Sequence, residues 1–140
     1  MKRVYLASPF FNEREISFVE KVEKILRNKG ITVWSPRDNQ LDRHEAGTPE
    51  WSLDIFRNDV KFVDWAECVV AIYDGNYMDS GTAWEIGYAY GTSKPVIVVH
   101  VGENSNLMVH ESAHANLTIE ELESYDFELM PSKRYEGAMF

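Results

Sequence analysis

The sequence predicts one α/β domain: an α/β sandwich whose central, mostly parallel five-stranded sheet is flanked by helices. Three observations lead there. Short apolar runs alternate with segments of helical period. The run Cys68 to Tyr73 is apolar throughout, as in a parallel strand covered on both faces. The opening third reads strand, helix, strand, the unit that makes parallel neighbours through a right-handed crossover.

Val4 to Ala7 is the first strand, followed by a Ser8 to Asn12 loop with Asn12 as helix cap. From Glu13 to Asn28, Ile16, Val19, Val22, Ile25 and Leu26 recur at helical spacing, and Gly30 closes that helix. Ile31 to Trp34 is the second strand. Ser35 to Pro49 is a long polar loop, of a length that usually serves as a lid or ligand wall. Glu50 to Trp65 returns to helical period, Cys68 to Tyr73 is the third strand, and Gly81 to Tyr90 is a helix with Gly91 as its stop. Pro95 to Val99 is the fourth strand. Asn104 to Asn116 reads as loop then helix, Thr118 opens a capping box with Glu121, and Asp126 to Leu129 is the fifth strand. The tail ends in apolar Ala138-Met139-Phe140, which suggests docking, on another subunit if not its own.

The 140 residues suit a single domain spanning 1–140. A net charge of −9 argues against nucleic acid as a partner, since phosphate binding needs clustered Lys and Arg. The sole cysteine, Cys68, cannot make an intrachain disulfide and favours a reducing compartment. The start shows no signal-peptide pattern, and no apolar run approaches the ~20 residues of a membrane span. The expectation is a soluble, cytoplasmic protein with no membrane partner.

In parallel α/β sheets ligands bind at the carboxyl ends of the strands. The loops there are Ser8 to Asn12, Ser35 to Pro49 and Asp74 to Gly81. Gly81-Thr82 after a strand invites a phosphate-loop reading, but neither a Gly-x-Gly-x-x-Gly nor a Gly-Lys-Ser/Thr signature is present, and Asp74 and Asp79 would repel phosphate. His110-Glu111-Ser112-Ala113-His114 formally fits a zinc pattern. It lacks a clear helix start and a third ligand, so a solvent-facing pair is the simpler reading and no metal is expected. Cys68 is expected to be buried, and no serine lies in a nucleophile-elbow pattern.

Carboxylates remain. Glu85 stands in an otherwise apolar helical turn among Ala83, Trp84, Ile86, Tyr88 and Ala89, just past a central strand. A carboxylate can attack an electrophilic sugar carbon while a second acid protonates the leaving group. Asp59 and Asp79 are the candidates for that second role, although Asp79 also suits a helix cap and Asp59 a solvated helix position. The nucleophile should be ionised and the donor protonated, which requires environments that separate their pKa values. Phe10, Phe11 and Trp51 could stack on a flat ligand.

In these residues the chain resembles the nucleoside 2-deoxyribosyltransferases over nearly its full length. The matching pieces are Val4 to Phe11, Pro36 to Gln40, Asn58-Asp59, Asp79 to Ala89, Asn106-Leu107-Met108 and Tyr135 to Phe140. The resemblance implies a flavodoxin-like (Rossmann-like) fold and transfer of 2-deoxyribose between purine or pyrimidine bases, with deoxyribonucleosides and free nucleobases as partners and no cofactor. It implies Glu85 as nucleophile, Tyr5 as the residue that positions it, and Asp59 and Asp79 for binding and protonating the base. Gln40 is implied as a base contact, with Phe10, Phe11, Gly81 and Met108 completing the substrate site. Gly81-Thr82 then becomes the small-residue turn that lets the sugar approach Glu85. Asn106 and the carboxylate of Phe140 are implied to reach a neighbour's sugar, in a homo-oligomer that is a hexamer built as a trimer of dimers, or a dimer. The alternatives are a 2′-deoxynucleoside 5′-monophosphate N-glycosidase, which usually carries a Gly-Ser-x-x-Gly loop absent here, and a non-catalytic nucleoside-binding domain.

Overall fold

The computed structural model describes residues 2–77 and 79–140. Its elements run β1 (Arg3–Ala7), α1 (Glu13–Asn28), β2 (Thr32–Trp34), a 3-10 turn (Pro36–Asn39), α2 (Pro49–Trp65), β3 (Cys68–Tyr73) and α3 (Ser80–Gly91). The second half adds β4 (Val96–His100), β5 (Asn104–Ser105), α4 (Leu107–His110), β6 (Ala115–Leu117), α5 (Ile119–Ser124) and β7 (Ala138–Met139). The main sheet is five-stranded in the order β2-β1-β3-β4-β6, and every pairing is parallel. That is the flavodoxin order, with the chain reversing direction across the sheet between β1 and β3.

Side chains alternate across a strand, and here the alternation sorts the core into two layers. Val4, Leu6, Cys68, Val70 and Ile72 pack under the apolar face of α1 and under Leu122 of α5. Tyr5, Ala7, Val69, Ala71 and Tyr73 face the other way, against Val63 of α2 and Ile86 and Ala89 of α3. This parity puts Tyr5 on the same side as the helix that carries Glu85. Cys68 is buried, and burial pushes its thiol up to about 12, so it remains an unreactive core residue.

Local chemistry sets the boundaries. Asn12 caps α1 by accepting from the Glu15 N–H. Gly30, at φ 78°, makes the left-handed turn that ends it. Thr118 and Glu121 form the reciprocal capping box of α5. Three expectations need correction. Asp126 to Leu129 is a turn, because the Asp126 carboxylate accepts from the N–H groups of Glu128 and Leu129, and Met130 follows at φ 48°. The fifth strand of the sheet is instead Ala115–Leu117. Gly91 is the last residue of α3 rather than the residue after it: Thr92 caps the helix, and Ser93 at φ 63° makes the exit. The tail docks on its own chain, where β7 pairs in parallel with β5 and the Phe140 carbonyl accepts from Leu107 N–H.

Candidate active site

A groove of about 520 Å³ opens at the carboxyl ends of β1 and β3, beside the amino end of α3. Four segments wall it: the loop after β1 with Ser8, Pro9, Phe10 and Phe11, Pro36 after β2, the α2 residues Phe56, Asp59 and Val60, and Asp79 to Glu85 at the start of α3. Tyr5 closes its floor. It therefore holds three carboxylates, Glu85, Asp59 and Asp79, and among the described residues no lysine, arginine or histidine lines it.

Each carboxylate is held differently. Tyr5 is fully buried, its ring stacked 5.2 Å from that of Trp34, which stacks in turn 4.4 Å from Phe62. So fixed, the Tyr5 hydroxyl donates a short hydrogen bond to Glu85 Oε2, leaving Oε1 for the groove. Burial, with Glu85 and Asp59 nearby, holds the phenol far above its ordinary range, so it keeps its proton and acts as a donor. Asp79 caps α3: its Oδ2 accepts from the Thr82 backbone N–H at 2.8 Å and from the Thr82 hydroxyl at 2.6 Å. Asp59 sits half-buried one turn beyond Phe56, and its carboxylate makes no hydrogen bond among the described residues.

Burial decides the protonation states. It pushes Glu85 up to about 8, against the opposing Tyr5 bond and with support from the charges of Asp59 and Asp79. Burial also lifts Asp59 to about 6. The expected order, an ionised Glu85 beside a protonated donor, is thus reversed in this structure: Glu85 holds its proton more firmly than Asp59. The cause is position, since Glu85 lies deeper, at the Tyr5 hydroxyl, where a charge loses most of its hydration.

Of the residues singled out from sequence, Glu85, Asp59, Asp79, Tyr5, Phe10, Phe11 and Gly81 come together in this groove. Gln40 does not line it; its side chain turns back to donate to the Arg37 carbonyl. Trp51 is also outside it. Asn106 caps α4 by accepting from Met108 N–H, and neither it, Met108 nor Phe140 lines the groove of its own chain. The zinc-like pair is not a solvent-facing pair: His110 is buried with Nδ1 2.9 Å from Ser105 Oγ, while His114 Nε2 reaches the Met130 carbonyl at 2.6 Å. Among the described residues no His, Cys, Asp and Glu cluster could hold a metal.

Sequence reasoning missed Phe56 and Trp84 as groove residues. They meet edge to face at 5.4 Å, and both stay about half exposed at the mouth. Spacing could have found Phe56, which lies three residues before Asp59 on the same helical face.

The family profile of the nucleoside 2-deoxyribosyltransferases matches residues 4–124. A solved 2-deoxyribosyltransferase from Bacillus psychrosaccharolyticus superposes with a TM-score of 0.90 at 44% identity, covering 96% of this chain and 99% of that one. A nucleoside deoxyribosyltransferase from Limosilactobacillus fermentum is 27% identical over 69% of this chain and 64% of its own length. The chain thus spans a little under two thirds of that relative. A protein from Thermofilum pendens, provisionally named a 2′-deoxynucleoside 5′-phosphate N-hydrolase, is 30% identical over 72% of this chain and 69% of its own. With the profile covering most of the chain and the fold shared from end to end, this protein belongs to the nucleoside 2-deoxyribosyltransferase family.

Proposed function

We propose that the protein transfers 2-deoxyribose from one nucleobase to another through a covalent ester of the sugar on Glu85. The observation that carries this reading is the Tyr5–Glu85 pair, a carboxylate fixed by a buried phenol at the floor of a groove with two further carboxylates. Glu85 Oε1 attacks C1′ as the C1′–N bond to the base breaks. The burial-raised proton of Glu85 matches the chemistry: the carboxyl gives up a proton, the departing base takes one, and Asp59, titrating near 6, relays it. The ester and the neutral base then carry no net charge into a partly buried site. The second base, attacking C1′ in turn, returns the sugar, and its proton goes back to the carboxylates.

The lining also favours nucleosides over nucleotides. Among the described residues no cationic side chain lines the groove. The nearby Arg14 is tied to Asp74 at 3.0 Å, and at the amino end of α1 the Phe11 N–H donates to Glu15 at 2.9 Å. A 5′-phosphate would meet three carboxylates and no cationic side chain among the described lining residues, which weighs against the N-hydrolase reading. Phe10, Phe11, Phe56 and Trp84 offer apolar faces for a base. Asn106, Met108 and Phe140, on the rim formed by β5, α4 and β7, fit contacts to a neighbouring subunit's groove in a cytoplasmic homo-oligomer.

The test is base exchange. Given deoxyinosine and free adenine, the protein should form deoxyadenosine with little free deoxyribose. Glu85→Ala should lower turnover by several orders of magnitude. Quenched reactions should show one deoxyribosyl unit on the peptide holding Glu85. Release of free sugar unaffected by added base would sink the transferase reading, and near-normal exchange by Glu85→Ala would remove the assigned nucleophile.

A further inference from the structure

We infer that Thr82 is a positioning residue for base recognition, acting through Asp79; the inference rests on the transferase reading above. Thr82 is 3% exposed, and its hydroxyl points at one atom, Asp79 Oδ2, at 2.6 Å. The backbone N–H of the same residue reaches that oxygen at 2.8 Å. An ordinary N-cap needs only the backbone bond. The second donor does something else: two donors converging on Oδ2 fix the rotation of the carboxylate. Oδ1, which makes no hydrogen bond among the described residues, is the oxygen left for a ligand.

An acceptor oxygen locked in place beside Glu85 suits the N–H edge of a nucleobase. It would set the base in the plane that aims its glycosidic bond at Glu85. Charge-assisted bonds of this kind are short and strongly directional, so a freely turning carboxylate would bind the same edge less well. A threonine meets this need in a buried turn: its hydroxyl serves Asp79 while the residue stays closed to water.

The variants Thr82→Val and Thr82→Ser separate hydroxyl from packing. Valine keeps the branched shape and loses the donor; serine keeps the donor and loses the methyl. With wild-type exchange established first, Thr82→Val should raise KM for the acceptor base by about tenfold, with kcat within about threefold of wild type. Thr82→Ser should return KM to near the wild-type value. Thermal unfolding of both variants checks that the fold persists. A wild-type KM in Thr82→Val, a serine variant as impaired as the valine one, or a fall in kcat at unchanged KM would each overturn the inference. Absence of exchange by the wild-type protein would instead overturn the functional reading on which it rests.

Discussion

Glu85 shows how one residue links stability to chemistry. Its carboxyl is held at about 8 in the fold, against an ordinary value near 4.5 in the unfolded chain, chiefly through burial. Between those values the folded state keeps a proton that the unfolded state has lost. Stability therefore falls as pH rises through that window. Asp59 contributes a weaker effect of the same sign between about 3.8 and 6. Glu85→Gln removes the larger contribution while keeping an oxygen to accept from Tyr5. Wild type and variant should melt at similar temperatures near pH 5, and the variant should melt higher near pH 8. Parallel melting curves from pH 5 to 8.5 would contradict the burial argument. The same logic explains why sequence suggested the carboxylate but not its protonation state: the spacing of Glu85 marks an apolar helical turn, whereas depth against Tyr5 is a property of the packed sheet.

At the scale of elements, the loop after β2 is anchored by a buried ion pair. Glu23 is 3% exposed on the core face of α1, between Val22 and Leu26, and receives Arg37 of the 3-10 turn at 2.6 Å. Arg27 lies 3.8 Å from the same carboxylate and 3.3 Å from Asp38. The pair fixes Pro36, a wall of the groove, against α1. Glu23 Oε2 and Arg37 Nε remain buried without hydrogen bonds, so the pair gains less than its short contact suggests. Removing one partner should still be costly. Glu23→Ala should lower unfolding free energy by about 3 kcal/mol, the low end for a buried pair because Arg37 is partly exposed. Glu23→Leu with Arg37→Met should recover most of that loss. Urea midpoints of the three proteins test it, and a single variant within about 1 kcal/mol of wild type would refute it. Nothing in the sequence marked this contact, since a glutamate beside an apolar stripe looks solvated until the following loop folds over it. The strongly periodic elements were legible to the residue, as α1 and β3 show. β6 was not: Ala115-Asn116-Leu117 is too short for a period, and its asparagine is stabilised by distant partners, His100 and the His110 and Lys133 carbonyls.

Across the whole molecule, the sheet's switch between β1 and β3 opens the groove, and strand parity delivers Tyr5 to it. The carboxyl-terminal strap lies elsewhere. It is held by β5–β7 pairing, by the Phe140 carbonyl on Leu107 N–H, and by Tyr135, whose ring sits 4.5 Å from His100 and 4.8 Å from His110. That binding presents Leu107, Met108, Met139 and Phe140 outward, all more than half exposed. A rim so firmly built and so apolar, yet outside its own groove, fits a role in a neighbour's site. Subunit mixing distinguishes this from a purely structural strap. Glu85→Ala removes the proposed nucleophile, and Asn106→Asp removes the amide donor while keeping an oxygen that can cap α4. Each variant alone should be nearly inactive. Co-expressed at equal levels, they assort at random, and where a site draws Glu85 from one subunit and Asn106 from its partner, about a quarter of the sites are intact. Recovery of exchange to about a quarter of the wild-type rate would place Asn106 in trans. No recovery, with mixed assemblies demonstrated by differential tagging, would confine each site to one chain and leave the strap as a fold element alone.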